Sequence, residues 1–272
     1  MREPNHAKKT EWLHGEAIMK EIYNGGMQAY IEKQVSHIED ALSFDGKKFV
    51  VMCVDERLLF GQEGLFNENE CPVQTPGSFI LCSKEEREKI FTNLPISGFT
   101  SHEGCGACKV YAKQRGLDEE DTDAHGKEFG QKIVEELREK GRDVYYRHIT
   151  GDEMHHPKEF HIARVVYYIN TKTFNPFALS EDERGRLPIG FGISRAHFNE
   201  GIAQKDLKLC ISIAFGAHGF GNLFTEEEPL LIVPVAVDED SLENMKTEVN
   251  DVVKTFAVED QKRVKIDGFY SV

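Results

Sequence analysis

No stretch of the 272-residue chain is apolar for long enough to cross a membrane as a helix. The polar opening, residues 1–10, also lacks the apolar segment of a secretory signal peptide. These two absences make the cytoplasm the expected location and argue against a membrane partner. Basic residues are in deficit: 33 Lys and Arg stand against 47 Asp and Glu, a formal net charge of -14. That balance argues against nucleic acid or an anionic lipid surface as the main partner. Cysteines are sparse. The six of them, Cys53, Cys71, Cys82, Cys105, Cys108 and Cys210, do not form a disulfide framework in a chain of this length. In a reducing compartment, metal binding or redox chemistry better accounts for any that cluster. There is no low-complexity linker and no convincing internal repeat. What is present is an ordinary globular composition, 40% hydrophobic and 29% charged, with enough residues for one large domain or two small ones.

The hydrophobic pattern alternates between helical and extended periods. Residues 11–43 carry a partial helical stripe, including Ile18, Ile22, Met27, Tyr30, Ile31, Val35, Ile38 and Leu42, which Gly25-Gly26 divides. A turn at 44–46 leads into a first strand over 48–54. Residues 58–76, with Gly61, Gly64, Asn67, Asn69, Pro72 and Pro76, read as loop with room for one short strand, and Gly77-Ser78 as a turn. Ser83 and Glu86 have capping-box spacing and open a helix to about residue 93. A second strand over 95–101 follows, then a helix over 105–114. An amphipathic helix over 127–140 turns Phe129, Ile133, Val134 and Leu137 inward. Residues 143–149 and 162–170 read as strands, 173–201 as loop with a short helix near His197, and 207–215 and 230–237 as apolar strands. A helix over 241–256 closes the pattern. This alternation predicts an α/β fold with a mostly parallel central sheet flanked by helices.

Two fragments carry the chemistry. Cys53-Val54-Asp55-Glu56-Arg57 stands at the carboxyl end of the first strand, and His102-Glu103-Gly104-Cys105 at that of the second. In an open α/β sheet, ligands gather at those ends. If the two strands are neighbours, Cys53, His102 and Cys105 converge. Two thiolates and an imidazole with a fourth place open are a ligand set for catalytic zinc. Two thiolates also neutralise the ion, so its water is less acidified than at a three-histidine site and needs help to remain hydroxide. Along an extended strand end, residues 53, 55 and 57 point to one side. Asp55 can then accept a hydrogen bond from zinc-bound hydroxide, and Arg57 can hold Asp55 ionised and oriented.

The order Cys-x-Asp-x-Arg followed by His-x-x-Cys, at 53–57 and 102–105, resembles the β-carbonic anhydrases. Thr75-Pro76-Gly77-Ser78 looks like a weak version of that family's Ala-Gly loop, and residues 164–174 like its next core strand. The resemblance covers roughly residues 44–175. It implies Zn2+ on Cys53, His102 and Cys105, and Asp55 with Arg57 as an orienting dyad. The implied reaction is reversible hydration of carbon dioxide to bicarbonate in a homodimer or higher homo-oligomer. A closed state in which Asp55 takes the water's place on the metal belongs to the same expectation. The chain departs from the family's Gly-His-Ser-Asp-Cys, carrying Ser101-His102-Glu103-Gly104-Cys105 instead. The expected layout is one domain, with a helical arm over 1–43, a catalytic core over 44–175 and a carboxyl-terminal extension over 176–272.

Rival readings share these residues. An offshoot of the family that hydrolyses carbon disulfide or carbonyl sulfide keeps the same ligands. Cys105-Gly106-Ala107-Cys108 is also a Cys-x-x-Cys at a helix start, as in thiol-disulfide oxidoreductases, though that leaves Cys53, Asp55, Arg57 and His102 unexplained. A zinc-bearing protein that senses without turnover is a third reading. Asp55 and Arg57 could be a plain structural ion pair. His155, His156 and His161 could mark a second metal site, with a solvated loop the simpler account. Gly216 to Gly221 hints weakly at a phosphate loop, and Phe79, Phe99, Tyr111 and Phe220 are either pocket-lining or core.

Overall fold

Phe49, Val50, Val51 and Met52 form an apolar run without polar alternation, and such a run needs cover on both faces. In the computed structural model, which describes residues 6–42, 48–60 and 70–271, they build β1, Lys48–Met52. It pairs in parallel with β2, Glu70–Gln74, on one side and with β3, Ile96–His102, on the other. β4, Tyr145–Ile149, joins β3, also in parallel, so the order is β2-β1-β3-β4. Val51 lies opposite both Val73 and Phe99, and the Thr100 hydroxyl donates to the Val51 carbonyl at 3.1 Å. These contacts make β1 and β3 neighbours, which was the condition for the two sequence fragments to meet.

Parallel strands need crossovers, and helices supply them. Lys84–Asn93 joins β2 to β3. Its start has the reciprocal bonds that Ser83 and Glu86 predict: the Glu86 amide donates to the Ser83 hydroxyl at 3.2 Å, and the Ser83 amide to the Glu86 carboxylate at 2.8 Å. Helices Gly106–Arg115 and Thr122–Glu139 lie between β3 and β4. The longer one buries Ile133, Val134 and Leu137 and sets Phe129 against Phe99, ring centroids 6.2 Å apart. It begins five residues earlier than the amphipathic stripe suggests. Within the expected 58–76 loop stand the end of a one-turn helix, Glu56–Leu59, and β2. Pro72 is tolerated there because β2 is an edge strand. The turn expected at 44–46, and Gly61, Gly64, Asn67 and Asn69, lie outside the described residues.

These elements form one compact unit, Asp45–His156; Met1–Phe44 and Pro157–Val272 form another. The second unit has its own parallel sheet. β5, Val165–Ile169, pairs with β6, Gly190–Ile193, and with β7, Leu230–Ala236; β8, Val264–Ile266, and β9, Phe269–Tyr270, both add to β7. The order is β6-β5-β7-β8. Four helices, His6–His14, Glu16–Gly25, Met27–Gln34 and Ile38–Leu42, belong to this unit, and Gly26 separates the second from the third as expected.

Several expectations change here. The single 44–175 core is divided, because β5 pairs with β6 and β7 and so starts the second sheet. The arm and the 176–272 segment complete that second unit. Residues 207–215, expected as a strand, end the helix Glu200–Phe215; Leu207, Cys210, Ile211 and Ala214 are buried at helical spacing, not alternate positions. β6 falls in an expected loop because Gly190 and Gly192 weaken its strand signal. The two sheets share one connection order, with β1 to β4 corresponding to β5 to β8, although no sequence repeat announces it. Among the described residues, no helix is long and apolar enough to cross a membrane.

The turn after β4 is fastened by Glu153. Its carboxylate accepts from the Thr150 amide at 2.8 Å, from Arg147 Nη2 at 2.5 Å and from the Thr150 hydroxyl at 2.9 Å. These bonds, the backbone one first, lower its pKa from 4.5 to about 2. Because the folded value is depressed, the stabilisation is present above pH 4.5 and is lost as pH falls from 4.5 toward 2. Glu153→Gln should therefore lower stability at neutral pH, and its deficit against the parent should shrink through that window. Urea unfolding across a pH series measures this; a deficit independent of pH contradicts it.

Candidate metal centre

The end of β1 and the end of β3 meet at one buried point. Cys53 follows β1 directly, His102 closes β3, and Cys105 caps the helix Gly106–Arg115. All three are at most 5% exposed, and their ligand atoms lie within 4.8 Å of one another. Cys53 Sγ and Cys105 Sγ are 4.0 Å apart. Two sulfurs each about 2.3 Å from one tetrahedral ion would stand about 3.8 Å apart, so the spacing needs almost no adjustment.

His102 carries the most informative atom. Its Nδ1 faces the Glu103 carbonyl at 3.0 Å. A proton there leaves Nε2 with a lone pair, the arrangement that metal-binding histidines use. Nε2 is buried and, among the described residues, has no partner in hydrogen-bonding geometry. The turn that brings His102 and Cys105 together depends on Gly104, whose φ of 67° lies in the left-handed region. Its amide donates to Asp123 Oδ1 at 2.8 Å, which ties the turn to the start of the Thr122–Glu139 helix.

Asp55 and Arg57 are also here, though through a turn and not through strand alternation. Asp55 caps the one-turn helix Glu56–Leu59 and accepts the Arg57 amide at 3.1 Å. The guanidinium then grips the same carboxylate from both sides, Nε to Oδ1 at 2.8 Å and Nη2 to Oδ2 at 2.6 Å. Both residues are buried, and the His155 amide holds the Arg57 carbonyl at 2.9 Å. Asp55 Oδ2 lies 3.9 Å from His102 Nε2, too far for a hydrogen bond.

The electrostatics ask for a cation. Burial alone would lower the His102 pKa; the Cys53 sulfur and the Asp55 carboxylate outweigh it and raise it to about 9, so below that pH an ion arriving at Nε2 would displace a proton from it. The Cys53 thiol is pushed well up by its hydrogen bond with Cys105 and by burial, and Cys105 is pushed up by Cys108. A divalent ion would discharge two thiolates that burial alone disfavours. The bare Nε2, the sulfur spacing and the soft donor set all fit a metal ion and are compatible with zinc.

Sequence reasoning missed the support on the far side of Cys53. The Gly77 amide donates to Cys53 Sγ at 3.2 Å. It can do so because Gly77, Ser78 and Phe79 all have positive φ, 57°, 54° and 70°. A serine and a phenylalanine in that region are strained, and such strain concentrates at functional sites. The sequence showed a turn here, but neither the left-handed run nor the aim of its amide.

Cys108, buried on the Gly106–Arg115 helix, stays beside this point, its thiol hydrogen-bonded with that of Cys105. Other candidates fall away: Cys71 and Cys210 are buried in β2 and in the Glu200–Phe215 helix. Phe79 and Phe99 are fully buried, and Phe220 is buried edge-to-face against Trp12, ring centroids 5.0 Å apart. Gly216 ends a helix and does not begin one, so the glycine run lacks the helix start that a phosphate loop requires. His155 and His156 do not join the Cys53, His102 and Cys105 group.

A Cβ on Gly77 would sit 2.6 Å from Ile80 Cγ2 and 2.8 Å from Ala107 Cβ, on a backbone that disfavours side chains. Gly77→Ala should cost about 1–3 kcal/mol and weaken metal retention, read by urea unfolding and by metal content after dialysis. Unchanged stability and metal content would remove this turn from the site. Compared with protein-family models, curated proteins and solved structures, the chain matches none, so the reading of this centre rests on its own residues.

Proposed function

We propose that the protein is a zinc-dependent carbonic anhydrase of the β type, catalysing the reversible hydration of carbon dioxide to bicarbonate. One observation carries the reading. A bare, buried imidazole nitrogen stands among two thiols, with an arginine-locked carboxylate 3.9 Å away. Cys53, His102 and Cys105 would hold the ion. When bound, zinc supplies a Lewis acid that makes water a nucleophile near neutral pH.

The chain's own residues then divide the work. Asp55 accepts a hydrogen bond from the reacting water and so aims a lone pair at the carbon of the substrate. Arg57 keeps Asp55 anionic and fixes its plane through two hydrogen bonds. The Glu103 carbonyl holds His102 in the tautomer that leaves Nε2 free. The oxygen of water adds to carbon dioxide, and one proton leaves for buffer, giving bicarbonate. Assembly as a homodimer belongs to the same reading.

The thiol-disulfide alternative needs a thiol of lowered pKa at Cys105, and here that thiol is raised. Hydrolysis of carbon disulfide or carbonyl sulfide would use the same ligands, so the substrate needs its own assay. Stopped-flow hydration of carbon dioxide with a pH indicator, paired with zinc analysis, tests the proposal. Cys53→Ser and His102→Ala should lose zinc and activity together. Asp55→Ala should keep zinc and lose about two orders of magnitude in turnover. Full zinc occupancy without hydration at acidic or alkaline pH would sink the proposal, and hydrolysis of carbon disulfide by that protein would reassign the substrate.

A further inference from the structure

Three helices of the Asp45–His156 unit, Lys84–Asn93, Gly106–Arg115 and Thr122–Glu139, border an open cavity of about 360 Å³. Lys84, Arg87, Arg115 and Lys132 line it, against two carboxylates, Glu128 and Glu136. The chain as a whole has a formal charge of -14, so a wall in which cations outnumber acids runs against its balance. Among the described residues, none of the four cations forms an ion pair with a carboxylate. Lys132 is four residues from both Glu128 and Glu136 on one helix, a spacing that favours pairing, yet it pairs with neither. Elsewhere Arg147, Arg186, Arg195 and Arg263 each pair with an acid.

Aromatic rings position the two arginines. The guanidinium carbon of the half-buried Arg87 lies 5.1 Å from the centre of the Phe129 ring, and that of Arg115 lies 4.7 Å from the centre of the Tyr111 ring. The two rings are 6.3 Å apart. Arg87 Nη1 also donates to the Cys82 carbonyl, which fixes the side chain further. Nε and Nη2 of Arg87 and the whole guanidinium of Arg115 have no acceptor among the described residues, and these atoms are not sealed in the interior. Burial lowers the Arg87 pKa, and the charge of Arg115 acts in the same direction, while Glu136 and Tyr111 oppose it. The two guanidiniums therefore repel one another.

Two planar forks on neighbouring rings suit an oxyanion with two charges and more than two oxygens, and the guanidinium group matches phosphate in this way. A monocarboxylate has oxygens for only one fork. The volume lies in the range of small-molecule sites, which leaves room for more than a bare anion. Ile80, Leu117 and Ile133 add apolar wall beside the rings. Leu117 is 43% exposed, and an organic group in the cavity would cover it.

We propose that this cavity binds a small organic phosphomonoester, its phosphate on Arg87 and Arg115 and its organic part against the aromatic and leucine wall. The exposed Lys84 and Lys132 add attraction around it. The site shares no residue with the metal centre and does not depend on the activity proposed there.

Phenyl phosphate, inorganic phosphate and sodium benzoate are titrated into the full-length protein by calorimetry at about pH 8, where the phosphates are dianions, and at constant ionic strength. Phenyl phosphate should bind saturably at one site per chain. Inorganic phosphate should bind about threefold more weakly or worse for want of the ring. Benzoate should bind about tenfold more weakly or worse for want of the second charge. Arg87→Met should weaken phenyl phosphate by about tenfold or more, and Arg115→Met, at an exposed position that does not threaten folding, should do the same. Lys254→Met removes an equal charge from the other unit and should leave binding unchanged, as should Cys53→Ser. The proposal is overturned by no saturable binding of phenyl phosphate, by unaltered binding in Arg115→Met, or by equal affinity for inorganic phosphate or benzoate. An equal loss in Lys254→Met overturns it by assigning the binding to net charge, and a loss in Cys53→Ser by placing the ligand at the metal centre.

Discussion

The centre depends on a single uncompensated atom, Nε2 of His102. A buried nitrogen without a partner costs about 1–3 kcal/mol, and the fold sets this one among two sulfurs and a carboxylate. Its surroundings are arranged to keep it that way. The Glu103 carbonyl occupies the other ring nitrogen, and Arg57 takes up both oxygens of Asp55, the acid that approaches it at 3.9 Å. The Gly77 amide turns toward the Cys53 sulfur from a strained turn. Each support removes a competing partner or fixes a donor, and together they leave one direction open for a ligand that accepts electron pairs.

The parallel pairing of β1 with β3 puts the donors within reach, and the same strand order is used again in the second unit. There the corresponding strand ends bear different residues. Asn170 follows β5, where its amide bonds to the Val235 carbonyl, and Asp238, beyond β7, caps the helix Glu239–Val253. Neither position offers a thiol or an imidazole. The scaffold thus appears twice in the chain and carries a soft-metal donor set in one copy. In the other copy the buried Arg164 stands just before β5, at the amino-terminal end of that strand.

The candidate metal donors were legible because they depend on local features. His102 and Cys105 span one turn with a glycine inside it, and each fragment follows an apolar run. The strands were neighbours, so the convergence inferred from the sequence is realised. Other features depend on information that single residues do not display. The Leu207 to Phe215 run reads as strand or helix until its buried positions are known. The break between the units was hidden because no low-complexity stretch in the sequence marks it, and the repeated strand order because its two copies differ in sequence. The Asp55–Arg57 contact was anticipated, but by strand alternation; a capped turn produces it. The role of Gly77 was out of reach, since it rests on a backbone amide and a positive φ.

The most direct test of the central claim is X-ray absorption at the zinc edge on purified protein, with metal content measured in parallel. The account predicts one zinc per chain with two sulfur neighbours at about 2.3 Å and one imidazole nitrogen at about 2.0–2.1 Å. It also predicts that the sulfur contribution is lost in Cys53→Ser. Protein that takes up no zinc, or zinc surrounded only by oxygen and nitrogen, would contradict it.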